Sequence, residues 1–230
     1  MNAHPHWHAF DWVIAIALVL LAVAYLRDAR RSRRFEQSVA FLAGWLVLAI
    51  ALLSPIDSLA ATRFWIHMAQ HELLMLVAAP LLVIADPLRA LLRVTPHAVL
   101  RPLRHATPVL AALLHAIALW VWHVPVLYEA GIANEGVHAA QHVCFLSTAL
   151  LFWWTVLRRA PGGVAVLCVA ATMIHMGLLG ALLTFAPTPL YEGYTLQDQQ
   201  LGGLIMWVPA TFVLLLAGLW AFDRWLRFQS

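Results

Sequence analysis

The sequence contains no lysine and few charges of any kind. Of its 230 residues, 11% are charged and 63% are hydrophobic. A soluble domain carries about 25% charged residues. Too little charge is present to coat a water-facing surface of this size. That excludes an ordinary soluble enzyme, a disordered chain and a nucleic-acid binder. Cysteine is scarce as well. Cys144 and Cys168 lie in separate apolar runs with no CxxC spacing. They imply no disulfide framework and read as two small buried hydrophobes. No internal repeat, low-complexity tract or period-two barrel alternation is visible.

What remains is apolar sequence in long runs. Seven can be cut out, at approximately 10–26, 38–53, 63–85, 107–123, 135–157, 164–185 and 201–222. Each is close to the roughly 17–25 residues a helix needs to cross a bilayer. The expectation is an all-α polytopic membrane protein, a bundle of seven transmembrane helices forming one domain over residues 1–230. The lipid bilayer is then its first partner.

All 14 basic residues are arginine, and they are unevenly placed. Arg27, Arg30, Arg31, Arg33 and Arg34 follow the first run. Arg89, Arg93, Arg101 and Arg104 follow the third. Arg158 and Arg159 follow the fifth, and Arg224 and Arg227 end the chain. Only Arg63 falls on the opposite side. The positive-inside bias puts the N-terminus in the periplasm and the C-terminus in the cytoplasm of a bacterial inner membrane. The basic pI of about 9.3 then reports orientation, not an acidic partner. Ala22-Val23-Ala24 resembles a cleavage site, but the chain opens without a basic segment, and the arginines that follow fit a retained anchor. Pro80 and Pro209 fall within spans and are expected to kink them. Gly177, Gly180 and Gly202-Gly203 permit close helix approach.

Twelve histidines are the other unusual count. His67 and His71 lie roughly 6 and 12 Å inside the third span, at 1.5 Å per residue. His138 and His142 reach matching depths in the fifth. His123 ends the fourth span at the same outer mouth, with His115 about 12 Å deeper. His175 lies mid-span in the sixth. Within each i,i+4 pair both imidazoles project from one helix face. The two pairs could share a metal ion. Met68 and Met75 lie near the same face of span three. Glu135 could accept the outer ring N–H of a ligand. Cys168, Thr172 and His175 share a face of span six. A lone intramembrane histidine such as His115 reads first as an interhelical hydrogen bond. Two pairs at matched depth read as a site. For Cu(I), thioethers matter, and Met68 and Met176 are the best placed. His4-Pro5-His6-Trp7-His8 could collect metal outside the membrane.

Three chemistries fit these residues. One is copper handling, since imidazoles with occasional thioethers suit copper. A second is haem b held by paired histidines, although i,i+4 neighbours would crowd one porphyrin. A third is a membrane-embedded zinc hydrolase, with Glu72 or Glu135 as base but no His-Glu-x-x-His motif. Asp198 and Gln199 begin the last span, where they could cap a helix or line the same mouth.

Several stretches resemble a known family. They are His67-Met68-Ala69-Gln70-His71-Glu72, Ala79-Pro80-Leu81-Leu82 and Asp86-Pro87, then Trp122-His123-Val124-Pro125 with Tyr128. His138-Ala139-Ala140-Gln141-His142, Phe152-Trp153-Trp154, Tyr191, Tyr194, Asp198-Gln199-Gln200-Leu201-Gly202-Gly203 and Met206-Trp207-Val208-Pro209 complete the set. Together they resemble the polytopic CtaG family of cytochrome c oxidase assembly factors, which is distinct from the single-span copper chaperone sharing that label. The resemblance implies an assembly or metal-handling factor rather than an enzyme. Its partners would be haem-copper oxidase subunits or copper chaperones. By position, the family's histidines fall on His67, His71, His123, His138 and His142. This chain departs from the family at Glu72, where an apolar residue or methionine is usual. A carboxylate beside His71 would strengthen metal binding or alter the metal preference.

Overall fold

The computed structural model describes residues 9–32, 35–53, 55–60, 62–86 and 105–227. His4, His6, His8, His97, Arg33, Arg34, Arg89, Arg93, Arg101 and Arg104 lie outside these residues. The described residues are helical, with turns and short connections and no strand. The helices are α1 (Ala9–Ser32), α2 (Phe35–Leu53), α3 (Pro55–Ala60), α4 (Phe64–Glu72), α5 (Ala79–Ala85), α6 (Pro108–Trp122), α7 (Pro125–Ala133), α8 (Glu135–Arg158), α9 (Gly162–Thr184) and α10 (Leu196–Arg227). Leu73–Ala78 is a π-helical segment that joins α4 to α5 in one continuous span.

Six spans are long and apolar enough to cross a membrane, and the bent pair α6–α7 makes a seventh candidate. The bend is 74°. Its cause is local. Pro125 opens α7, and the residue before a proline is pushed out of the α region. Val124 accordingly sits at φ −64°, ψ 128°.

The α4–α5 span is the axis of the bundle. Of its residues 67% are buried, against 11% in the first span. Hence α4 can carry polar side chains that lipid would not tolerate, whereas α1 shows Val13, Ile16, Val19 and Leu20 outward.

Pro80 acts through the π segment. In that register Ala79 N–H bonds Leu74 O, five residues back. The next residue, Pro80, has no N–H to give to Met75 O. The Trp153 indole N–H of α8 takes that carbonyl instead, at 2.8 Å. A proline thus becomes a cross-link between spans rather than an open kink. Pro209 differs again, since α10 runs through it from Leu196 to Arg227.

The glycines do permit contact. A Cβ on Gly203 would lie 2.6 Å from Gly180 O, so α9 and α10 touch backbone to backbone. A Cβ on Gly202 would lie 2.3 Å from the Phe64 ring, so α10 also rests against α4.

The arginines at one end tie helix ends together. Arg158 donates to Val83 O (3.0 Å) and Ile84 O (3.1 Å) at the end of α5. Arg224 donates to Leu157 O (3.1 Å) and Ala160 O (2.7 Å) at the end of α8. Cations on the last carbonyls also suit the helix dipole. These contacts place the C-terminal ends of α5, α8 and α10 together. Arg63 stands at the other end, before α4.

Candidate metal centre

The site lies where α4, α6 and α8 meet near the end bearing Arg63. α4 supplies His67 and His71 from one face, and α8 supplies His138 and His142. His123 closes α6, in the turn that Pro125 imposes. Ring centroids lie 5.1 Å apart for His67 and His138, 5.4 Å for His71 and His142, and 6.2 Å for His71 and His123. Within the i,i+4 pairs they are 4.3 and 4.2 Å. The third, fourth and fifth runs of the sequence therefore converge, and all five histidines share one cluster. One ring nitrogen from each of His67, His138 and His142 falls within 4.8 Å of the others.

The cluster is dry and short of partners. His67 is 0% exposed and His71 1% exposed. Neither ring nitrogen of His71 meets a hydrogen-bond partner, nor does Nε2 of His123 or of His142. Buried polar atoms are normally satisfied, so bare imidazole nitrogens facing one another need an explanation. His123 is the best defined. Its Nδ1 lies 2.7 Å from Leu119 O, a carbonyl that only accepts. Nδ1 therefore carries the proton, and the Nε2 lone pair is left for a ligand.

An aromatic cover lies against the cluster at the Arg63 end. The Phe64 ring lies 5.4 Å from Tyr128, 5.0 Å from Tyr191 and 5.6 Å from Tyr194. Tyr128 lies 5.2 Å from the His67 ring. Tyr191 Oη donates to His123 O at 2.9 Å. Burial first, and Glu129 second, raise the pKa of the Tyr191 phenol, which keeps it a donor.

Asp198 and Gln199 hold this cover. The Asp198 carboxylate accepts from Phe64 N (3.0 Å) and Trp65 N (3.2 Å). It thus caps α4, whose own N-cap residue, Arg63, supplies no side-chain bond. Thr195 caps α10 itself, accepting from Asp198 N at 3.2 Å. Gln199 is fully buried with both ends of its amide used, on Leu190 N (2.6 Å) and Leu183 O (3.1 Å). It braces the loop that carries Tyr191.

The remaining candidates stand apart. His115 is buried against Thr148 Oγ1 at 3.1 Å and stacks on Phe152 at 5.8 Å. Its electrostatic neighbour is His175, not the outer cluster. Glu135 is exposed in the first turn of α8. Met68 and Met176 are fully buried in the core. Glu72 is buried with neither carboxylate oxygen hydrogen-bonded, and it is not in the group with His67, His138 and His142.

Gln141 was missed by the sequence reading. It is fully buried, and its amide reaches toward His67 and Gly131. A signal for it was present: α4 and α8 carry the same pattern, His-x-x-Gln-His, at 67–71 and 138–142. In α4 the glutamine has a structural duty, since Gln70 Nε2 donates to Ala51 O of α2 at 2.7 Å.

Comparisons with known proteins give a family and distant relatives. A family model described as cytochrome c oxidase caa3 assembly factor (Caa3_CtaG) matches residues 3–228. An uncharacterized protein of Mycobacterium bovis is 26% identical over 86% of this chain, covering 36% of its own length. One of Mycobacterium leprae is 22% identical over 95% of this chain and 39% of its own. The chain thus spans little more than a third of these relatives. No solved structure matches it.

Proposed function

Because this chain belongs to the family of cytochrome c oxidase caa3 assembly factors, we propose that it assists oxidase assembly by holding copper at the five-histidine cluster and releasing it to an oxidase subunit or a copper chaperone. The observation that carries this reading is the set of bare, buried nitrogens on His71, His123 and His142 around the mutually close His67, His138 and His142. Neutral imidazoles are good ligands for copper. Copper here is cargo. His123 is oriented for it by Leu119 O, and Gln141 is placed to bias the His67 ring. The tyrosine cover slows exchange with water and other cations. The arginine-tied end faces the cytoplasm under the positive-inside rule, so the cluster opens toward the periplasm of the bacterial inner membrane.

The zinc hydrolase reading needs a carboxylate base at the cluster, whereas Glu135 is exposed in the first turn of α8 and neither oxygen of Glu72 is in hydrogen-bond reach of a histidine nitrogen. The haem reading is weakened because the imidazoles already lie 4.2–6.3 Å apart, centre to centre, as packed neighbours. The test is metal content with an absorption spectrum of the purified, copper-loaded protein. Copper bound in the wild type and lost in a His71→Ala/His142→Ala double variant that stays folded supports the reading. Unchanged copper stoichiometry in that variant refutes the site, and a Soret band in the wild type refutes copper as the cargo.

A further inference from the structure

Gln141 carries a buried amide that makes no hydrogen bond. It is 0% exposed, and neither Oε1 nor Nε2 has a partner. Its counterpart in α4, Gln70, spends its Nε2 on Ala51 O of α2. Gln141 instead lies beside the His67 ring, whose two nitrogens are also bare. A buried polar group left unpaired in this way needs an explanation.

The other neighbour of this amide is α7. Tyr128 and Gly131 are the buried residues of that short helix. Three residues apart, they project about 60° from one another, so one face of α7 rests on the site. The Tyr128 ring lies 5.2 Å from that of His67. A Cβ on Gly131 would lie 3.3 Å from Gln141 Oε1, tighter than an ordinary contact. Outside α7 and among the described residues, Oε1 is the one atom within 4 Å of that position. α7 is also joined to the loop that carries the cover. Tyr128 Oη donates to Tyr194 Oη at 3.4 Å, and Glu129 Oε1 accepts from Glu192 N at 3.2 Å.

An amide can meet either form of an imidazole nitrogen. Its oxygen accepts a ring N–H, which fixes the tautomer and leaves the other nitrogen's lone pair for a metal. Its NH2 donates to a lone pair and withdraws it from a metal. Ala60 O, which also faces the His67 ring, can only accept. We propose that Gln141 sets the tautomer of His67 and ties it to the seating of α7, so that the helix bearing Tyr128 decides whether His67 is a ligand. With α7 seated, Gln141 is confined between Gly131 and His67 and presents its oxygen to the ring N–H. With α7 displaced, the amide is free to turn and His67 loses its orientation. This rests on the histidine cluster being the copper site, and it names what regulates that site.

The test uses the full-length protein in detergent with isotope-labelled histidine, whose ring-nitrogen NMR shifts report the tautomer. His67 is assigned by the signals missing from His67→Ala. In the metal-free protein, Gln141→Leu should shift the His67 tautomer population, and Gln141→Glu, which keeps an acceptor, should restore it. Gly131→Ala should shift it in the same direction as Gln141→Leu, although Gly131 touches Gln141 and not the ring. In a competition titration against a Cu(I) chelator, Gln141→Leu should weaken copper about tenfold, as does loss of a hydrogen bond behind a metal ligand. Gly131→Ala should weaken it less, and Gln141→Glu should bind at least as tightly as the wild type. A glutamine that only fills space would lower the melting temperature and leave tautomer and affinity unmoved, and that result overturns the proposal. Should Gln141→Leu fail to fold, Gly131→Ala decides, and an unchanged His67 tautomer in it overturns the coupling. Should the wild type bind no copper, the copper reading falls, while the metal-free tautomer shifts still decide the roles of Gln141 and Gly131.

Discussion

His115 and His123 lie on the same helix, eight residues apart, and they end in different chemical situations. Both use Nδ1 in a hydrogen bond, to Thr148 Oγ1 and Leu119 O respectively. The difference lies around the rest of the ring. His123 Nε2 has no partner, and its ring lies 6.2 Å from His71 of the cluster. His115 stacks nearly parallel on Phe152, at 18°, and its neighbour is a single histidine. An intramembrane histidine is therefore not a ligand because of its depth. On the proposed reading it becomes one where several helices turn bare nitrogens to the same point.

The sharpest way to break this comparison is to remove ligands from each region in turn. His71→Ala/His142→Ala should lower copper stoichiometry at least tenfold with little change in melting temperature, measured by elemental analysis and thermal unfolding in detergent. His115→Ala should do the reverse. Copper content should stay at the wild-type level, and stability should fall by about 2 kcal/mol from the lost hydrogen bond and the cavity beside Phe152. Equal copper loss in both variants would erase the distinction.

A narrower test exchanges single members. His123→Ala removes one ligand and should weaken copper about tenfold in a competition titration, an effect comparable to those seen around metal ligands. An unchanged affinity would mean that copper sits on the α4 and α8 pairs alone. Tyr191→Phe is subtler. It deletes only the hydroxyl that holds His123 O at 2.9 Å. Its effect on affinity should be smaller than that of His123→Ala, while copper release should quicken as the cover loosens, read by stopped-flow transfer to a chelator.

Much of this was legible beforehand. Apolar length located the spans, because crossing a bilayer leaves few alternatives. The i,i+4 spacing put each histidine pair on one face, since helical periodicity is local. Convergence was not legible. Which helices touch depends on features such as Gly202 beneath Phe64 and the Trp153 bond to Met75 O, which pair residues far apart in sequence. The role of Asp198 was hidden for the same reason. A capping residue is expected to cap its own helix, and here it caps α4 from α10. α7 was invisible because its nine residues are too short to register as a span.

The smallest expected effect probes how His115 is held. The Thr148 hydroxyl lies 2.8 Å from Cys144 O and 3.2 Å from Phe145 O, within its own helix. Its one proton is committed to these carbonyls, so it can only accept from His115, and Nδ1 must carry the hydrogen. Thr148→Val keeps the shape and removes the acceptor. His115 then has a buried N–H with no partner unless it changes tautomer. The expected cost is about 1 kcal/mol, typical of an interhelical hydrogen bond in a membrane, read as a small drop in melting temperature with copper content unchanged. Thr148→Ser, which restores the hydroxyl, should recover most of it. A drop in copper content with Thr148→Val would instead connect His115 to the outer cluster and collapse the difference between the two histidines of α6.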